Sequence, residues 1–376
     1  HRARAFANRY RPVRDRLRRL LVLTGRLVGE RSLGRTLKGL PGPALIAQVV
    51  VGKFADHLPL HRQSEIFRRS GVEICRSTLC DWVRAAAELL APIVLAMEAR
   101  VVLSRVIHTD DTPIPVLDRT RDRTRTGRLW PYIGDRDHPY VVFRYTPTRS
   151  RDGPAEVLRD FHGKLQADAF PGYDPLYIDL DIVEAACWAH SRRYFVDALP
   201  SDRARAQFAV DTIRRLYAIE EEARALSDDA RRDLRQAKAR PILDELKAWL
   251  DQEAPNVLPK SVIGKAIKYA RDQWTALNRY VDDGRLDIDN LEAERVLRGV
   301  AVGRKNWMFA GSDEGGRRAA ILYSIIATCK RHGVEPFAYL KDVLQRVSTT
   351  PLSQLHTLLP DAWKAPASEA ALSAVR

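Results

Sequence analysis

The stretch VVLSRVIHTD, residues 101–110, is rich in β-branched residues and ends in a carboxylate, Asp110. Its composition predicts a strand across 101–109. Two further strands read out downstream at 129–133 (LWPYI) and 140–145 (YVVFRY), separated by Gly134-Asp135 and the His138-Pro139 turn. A helix over about 154–161 follows, then a short strand at 164–167 that also ends in a carboxylate, Asp168. Residues 185–190 read as another strand, running into a helix over 192–199. In a sheet of this order the first strand and the strand after the helix lie side by side, a ribonuclease-H-like arrangement. Their ends then bring two carboxylates close together.

Downstream, residues 206–280 read as helical. Ile263, Ile267, Ala270, Trp274 and Leu277 form a helical-period apolar stripe. Pro241, Pro255 and Pro259 punctuate the segment, and the charged stretch 227–240 reads most simply as a solvated helix or linker. At 289–292 the run Asp-Asn-Leu-Glu predicts a helix start, with Asp289 as N-cap and Glu292 completing a capping box. Glu294 lies one turn in. Helices at about 315–331 and 336–347 close the fold.

Upstream, after the Pro41-Gly42-Pro43 breaker, residues 64–69 predict a short helix ending at Gly71, and a second begins near Ser77, capped by Ser77 or Thr78. Leu79, Trp82, Val83 and Ala86 share one face of it. Helix, glycine turn, helix is the pattern of a helix-turn-helix, which would present Arg76 and Arg84 to DNA. An ordinary helical pair packed on a core fits the same pattern.

The chain has 376 residues, with 62 Lys+Arg against 48 Asp+Glu, a net charge of +14. That excess suits a polyanionic partner, although a merely basic protein carries it as well. No apolar run approaches the roughly 18 residues of a membrane span. Four scattered cysteines (75, 80, 187, 329) make no disulfide framework, which fits a reducing, cytoplasmic setting. The sequence begins at His1 and reads as a fragment, a processed product or a truncated gene.

Three acids on three elements, Asp110, Asp168 and Glu294, form a candidate hard-cation site. Mg²⁺ prefers carboxylate oxygens, and two ions can serve an in-line phosphoryl displacement. Each acid also has a local reading: turn former before Pro113, turn former before Pro171-Gly172, and i,i+4 partner of Arg298. The blocks HTDDTPIPVL (108–117), GRLWPYIGD (127–135), LQADAFPGYD (165–174), CWAHSRRYF (187–195), IDNLEAERVLR (288–298) and GRKNWMFAGSDEGGRRAA (303–320) stand in this order. With the upstream KFADHLPLHRQSEIFRRSGVEICRSTLCDWV (53–83), they resemble the insertion-sequence-66 family of bacterial transposases over about residues 40–362.

That resemblance implies an α/β protein: a ribonuclease-H-like catalytic core, a mixed sheet flanked by helices, interrupted by a helical insertion and preceded by a helix-turn-helix-like module. The expected organisation is a basic segment (1–40), a DNA-binding module (41–98), the first part of the core (99–200), the insertion (201–283), the C-terminal core helices (284–350) and a tail (351–376). The resemblance makes Asp110, Asp168 and Glu294 the catalytic metal ligands of a DDE transposase using two Mg²⁺ or Mn²⁺ ions, with Asp111 a neighbour that shapes the site. Water would first hydrolyse a phosphodiester at the element's end, and the freed 3′-hydroxyl would attack target DNA.

The implied partners are double-stranded DNA at element ends and target, a second copy of the chain on that DNA and accessory proteins of the element, all at the bacterial nucleoid and with no membrane. Arg192, Arg193, Arg295, Arg304, Lys305 and Trp307 are candidate DNA contacts alongside Arg76 and Arg84. Cys187 and His190 form a lone Cys-x-x-His pair, open to a positioning role, a core role or zinc. The chain departs from the family in reading Leu291 where Asn is usual, and in lacking a longer N-terminal region. A catalytically idle DNA-binding fragment is therefore the alternative, and a structure-selective nuclease a third reading.

Overall fold

The computed structural model describes residues 41–365 apart from 119 and 121. The basic segment 1–40 and the tail from 366 onward lie outside the described residues. The chain divides into two compact units. Of the described residues, one holds 41–104, 111–156 and 295–365; the other holds 105–110 and 157–294. Strands of both kinds are present, each set flanked by helices.

In the first unit, α1 (Pro43–Phe54), α2 (Leu60–Arg69) and α3 (Arg76–Val101) precede an antiparallel set, β2 (Thr112–Val116), β3 (Arg125–Ile133) and β4 (Val141–Thr146). Later helices α12 (Asp313–Arg331) and α13 (Pro336–Arg346) belong to it as well. The α3 face predicted from spacing is buried: Leu79, Trp82, Val83 and Ala86. Its N-cap, however, is Cys75 rather than Ser77 or Thr78. The predicted strand over 101–109 is shorter, because α3 runs to Val101 and only β1 (Val106–Thr109) is extended. A β-branched run at the end of a long buried helix keeps helical geometry when tertiary packing favours it.

Helix α12 covers β4 in a specific way. Thr328 Oγ1 accepts from Val141 N at 3.0 Å and donates to Val141 O, and Ser324 Oγ accepts from Phe143 N at 2.8 Å. Strand backbone groups that would otherwise lack partners are thus satisfied by hydroxyls on the covering helix. From the other side α3 offers buried Glu98 to Arg144 of β4.

The second unit carries β1, β5 (Lys164–Gln166) and β6 (Val183–Ala185), paired in parallel as β1–β5–β6. Asp174–Asp179 form α5 and Trp188–Ala198 form α6; the preceding α4 (Asp152–Leu158) has its residues 152–156 in the first unit. The expected strand at 185–190 therefore ends at Ala185, where α6 takes over. Four more helices follow: α7 (Arg203–Ala223), α8 (Asp228–Glu253), α9 (Val262–Asp272) and α10 (Trp274–Asp282). The stripe Ile263, Ile267, Ala270, Leu277 is buried in one core with Trp188, Phe195, Ile213, Leu243 and Leu250. It spans two helices, α9 and α10, which meet at Gln273.

One expectation about α8 is corrected. Pro241 does not break the helix, which runs through it for 26 residues. Burial of Leu243, Leu246 and Leu250 beyond it offsets the missing N–H. The charged stretch 227–240 is a helix whose residues are exposed or half-buried except for Arg235 and Ala239. Arg235 is fully buried, forked onto both Glu220 oxygens (2.8 and 2.6 Å), donating to the carbonyls of Tyr280 and Asp283, and lying over the Tyr280 ring. A planar fork with four of its five N–H donors matched, together with the facing carboxylate, is what makes this buried guanidinium tolerable.

Candidate functional site

The parallel register of the second unit decides where its acids fall. Val106 pairs with Lys164, Ile107 with Leu165 and His108 with Gln166, a constant offset. Asp110 and Asp168 each follow the last pair by two residues, just beyond the ends of neighbouring parallel strands, which lie about 4.8 Å apart.

The segment that launches α11 (Leu291–Trp307) is stitched to the same strand ends. Gln166 Nε2 donates to Asp287 O at 2.6 Å, and Asp287 N donates back to Gln166 Oε1 at 3.3 Å. Trp188 N donates to Ile288 O, and Asn290 N donates to the buried Cys187 Sγ at 3.2 Å. Fully buried Asn290 sends Nδ2 to Thr109 O at 2.7 Å, while its Oδ1 meets His108 Nδ1 at 3.1 Å. The helix bearing Glu294 therefore starts from a point anchored on the residue before Asp110. Asp289 is not the residue that opens α11; its Oδ1 accepts from Leu291 N, and its Oδ2 accepts from Tyr217 Oη at 2.8 Å.

Around Glu294 the neighbours are basic. Arg193 donates to Glu294 Oε1 at 3.2 Å, and His190 Nε2 is 3.8 Å from the same oxygen. His190 is held below its ordinary pKa by burial and then by Arg193, against the opposing pull of Glu294, Asp168 and Asp289. It thus sits in the field of two of the three predicted acids. Burial pushes the Cys187 thiol up to about 12, so it remains a protonated thiol that accepts from Asn290. Arg192 is exposed on α6.

In the first unit, Arg76 and Arg84 are exposed on the N-terminal part of α3, with Arg84 paired to Asp81 at 2.8 Å. The turn before α3 uses Gly71 at φ 80, a conformation open to glycine at no steric cost. Asp111 is buried between Arg128 (2.7 Å) and Arg149 (2.8 Å), so both its oxygens are engaged by guanidinium groups. Arg304 donates to Thr112 Oγ1 at 2.8 Å and to Pro113 O, while Arg295 and Lys305 are exposed and Trp307 is half-buried.

A group absent from the sequence reading also emerges. His108, Asp287 and Glu292 offer ligand atoms that all lie within 4.8 Å of one another. The single sequence signal was His108 itself, two residues before Asp110; its partners lie far along the chain.

Comparison with known proteins places the chain, by family, among the transposases. It belongs to the IS66 transposase family: residues 38–318 match the Transposase IS66 family and residues 324–360 match the IS66 C-terminal element. Similar proteins occur in Sinorhizobium fredii (strain NBRC 101917 / NGR234). The uncharacterized protein y4hP is 35% identical over 353 residues, covering 88% of this chain and 63% of that protein. The uncharacterized protein y4jD is 36% identical over 343 residues, covering 87% of this chain and 67% of that protein. The chain thus spans roughly two-thirds of the length of these relatives. Among the described residues no helix is long and apolar enough to cross a membrane.

Proposed function

We propose that this chain is the catalytic portion of a DNA transposase whose Asp110, Asp168 and Glu294 serve metal-dependent strand cleavage and strand transfer on a ribonuclease-H-like core. The observation that supports the reading is the β1–β5 register, whose last pair, His108 with Gln166, is followed two residues later by Asp110 on one strand and Asp168 on the other. Asn290 then ties the start of the Glu294 helix to Thr109, beside Asp110. In this reading α7 to α10 are the helical insertion, and residues 41–98 are the DNA-binding module.

The donor set fits a hard divalent ion. It is three carboxylates, and the nearest thiol, Cys187, stays protonated and turned to a backbone amide. Asp110, Asp168 and Glu294 would hold Mg²⁺ or Mn²⁺, two ions, which when bound activate an attacking oxygen and stabilise a leaving one. The protein's own contribution is positioning and charge balance. Arg193 orients the Glu294 carboxylate through its hydrogen bond, with His190 3.8 Å from the same oxygen, and Cys187 and Asn290 fix the helix that carries it. Arg76, Arg84, Arg192, Arg295, Lys305 and Trp307 are the proposed DNA contacts. Arg304 joins them with part of its guanidinium already committed to Thr112 and Pro113.

The reaction runs in two displacements: hydrolysis of a phosphodiester at the element end, then attack of the new 3′-hydroxyl on target DNA. Positioning and electrostatic stabilisation carry most of the rate in such phosphoryl transfers. Its partners in this reading are double-stranded DNA, a second copy of the chain bound to it, and accessory proteins of the element, all in the bacterial cytoplasm. The test is incubation of the purified chain with Mg²⁺ or Mn²⁺ and labelled element-end DNA. Nicking at the element end is expected. Retarded DNA with no nick would instead leave a DNA-binding fragment, and cleavage of branched DNA without joining would point to a nuclease.

A further inference from the structure

We propose a second, separate cation site in the same unit, formed by His108, Asp287 and Glu292 and suited to a divalent transition ion such as Zn²⁺. Hydrogen bonds outside the cluster fix the imidazole. Asn290 donates through Nδ2 to Thr109 O, which orients its amide so that Oδ1 faces His108 Nδ1. An acceptor oxygen there requires the proton on Nδ1, leaving the lone pair of the neutral ring on Nε2. That nitrogen, on a side chain only 6% exposed, points toward the carboxylates, with Asp287 Oδ2 3.8 Å away. The distance is too long for a hydrogen bond. A lone pair facing two carboxylates is an arrangement that a cation stabilises. An imidazole oriented through its other nitrogen by a carbonyl-type acceptor is also the usual support of a metal-binding histidine.

The dimensions suit one ion. Two ligands on opposite sides of an ion, each at about 2.1 Å, sit about 4.2 Å apart; the three ligand atoms here lie within 4.8 Å of one another, so a shift of a few tenths of an ångström by the half-exposed Asp287 closes them on an ion. One imidazole nitrogen with two carboxylates favours Zn²⁺ or a similar first-row ion over Mg²⁺. Asp287 is half-exposed, giving the ion a way in from solvent, and its other oxygen faces Arg231 at 3.8 Å.

This site is distinct from the proposed catalytic one. Glu292 and Glu294 are two residues apart on α11, so they point about 200° apart around the helix. They cannot share an ion. An ion on His108, Asp287 and Glu292 would instead pin the first turn of α11 to β1, holding in place the helix that bears Glu294. It rests on its own three residues and stands whether or not the strand-cleavage reading holds.

Co²⁺ is the probe, titrated into the full chain carrying Asp168→Asn and Glu294→Gln, so that the proposed catalytic carboxylates cannot answer. Cys75→Ser and Cys80→Ser remove the exposed thiols. The expected result is one Co²⁺ per chain, with visible ligand-field bands, no thiolate charge-transfer band, and displacement by Zn²⁺. Adding Glu292→Gln or Asp287→Asn should weaken binding at least about tenfold without changing the melting temperature of the metal-free protein. If Glu292→Gln fails to fold, Asp287→Asn decides alone, since the Gln166 bonds use only the backbone of Asp287. No saturable Co²⁺ binding, or equal binding by the substituted chains, would overturn the proposal.

Discussion

Asn290 is buried, and each end of its amide does separate work. Nδ2 holds the end of β1 through Thr109 O, Oδ1 holds His108, and its own backbone N–H reaches Cys187. Asn290→Ala removes both side-chain bonds and leaves a buried carbonyl and imidazole without those partners. An unmade buried hydrogen bond costs about 1–3 kcal/mol, so urea denaturation should show a loss of roughly 2 kcal/mol. Nicking should fall as well, with DNA affinity retained, because the Glu294 helix loses its anchor. The proposed catalytic acids behave differently. Asp110→Asn, Asp168→Asn and Glu294→Gln should each lower nicking about a thousandfold or more, the equivalent of several kcal/mol of lost charge stabilisation, while a gel-shift assay shows DNA still bound. Asp110 and Asp168 could be picked out from the sequence because a carboxylate ended each of two strand-like runs. Asn290, Asp287 and Glu292 could not be paired with His108, since that meeting joins residues some 180 positions apart and depends on how α11 is seated.

Elements show where local pattern gives way to packing. β2 was missed because Pro113 and Pro115 argue against a strand; it forms because it is an edge strand, pairing with β3, where missing N–H groups are tolerated. The charged start of α8 is largely solvated, but charge in a sequence carries no sign of which of its residues is buried. Arg235 shows the consequence. Arg235→Ala leaves Glu220 without its fork and two carbonyls without donors, and should destabilise the chain by about 3–5 kcal/mol. Arg215→Ala, which removes a pair with Glu245 that is about half exposed, should change stability by less than about 1 kcal/mol. Thermal melting of the two variants side by side tests the contrast. At the start of α12, Asp313 is held below its usual carboxylate value by Arg125, against burial, with Tyr145 also donating to it. A depressed folded value means this stabilisation is complete above the ordinary pKa of 3.8 and is lost as pH falls through the lower folded value. The stability gap between the parent and Asp313→Asn should therefore be full at neutral pH and close in acid below about pH 4.

At the scale of the whole molecule, the excess of Lys and Arg over acids gives a net charge of +14. If that charge meets DNA phosphates, affinity should fall steeply and log-linearly with salt, and Lys305→Ala should lower the slope by about one. A salt-independent affinity would contradict a phosphate-dominated interface. The core claim is more local: that acids distant in sequence meet at the ends of β1 and β5 to hold divalent ions. A crystal grown with Mn²⁺ and read by anomalous scattering tests it most directly. The account predicts a peak in contact with both Asp110 and Asp168. Manganese bound elsewhere, with no density between those two carboxylates, would contradict it.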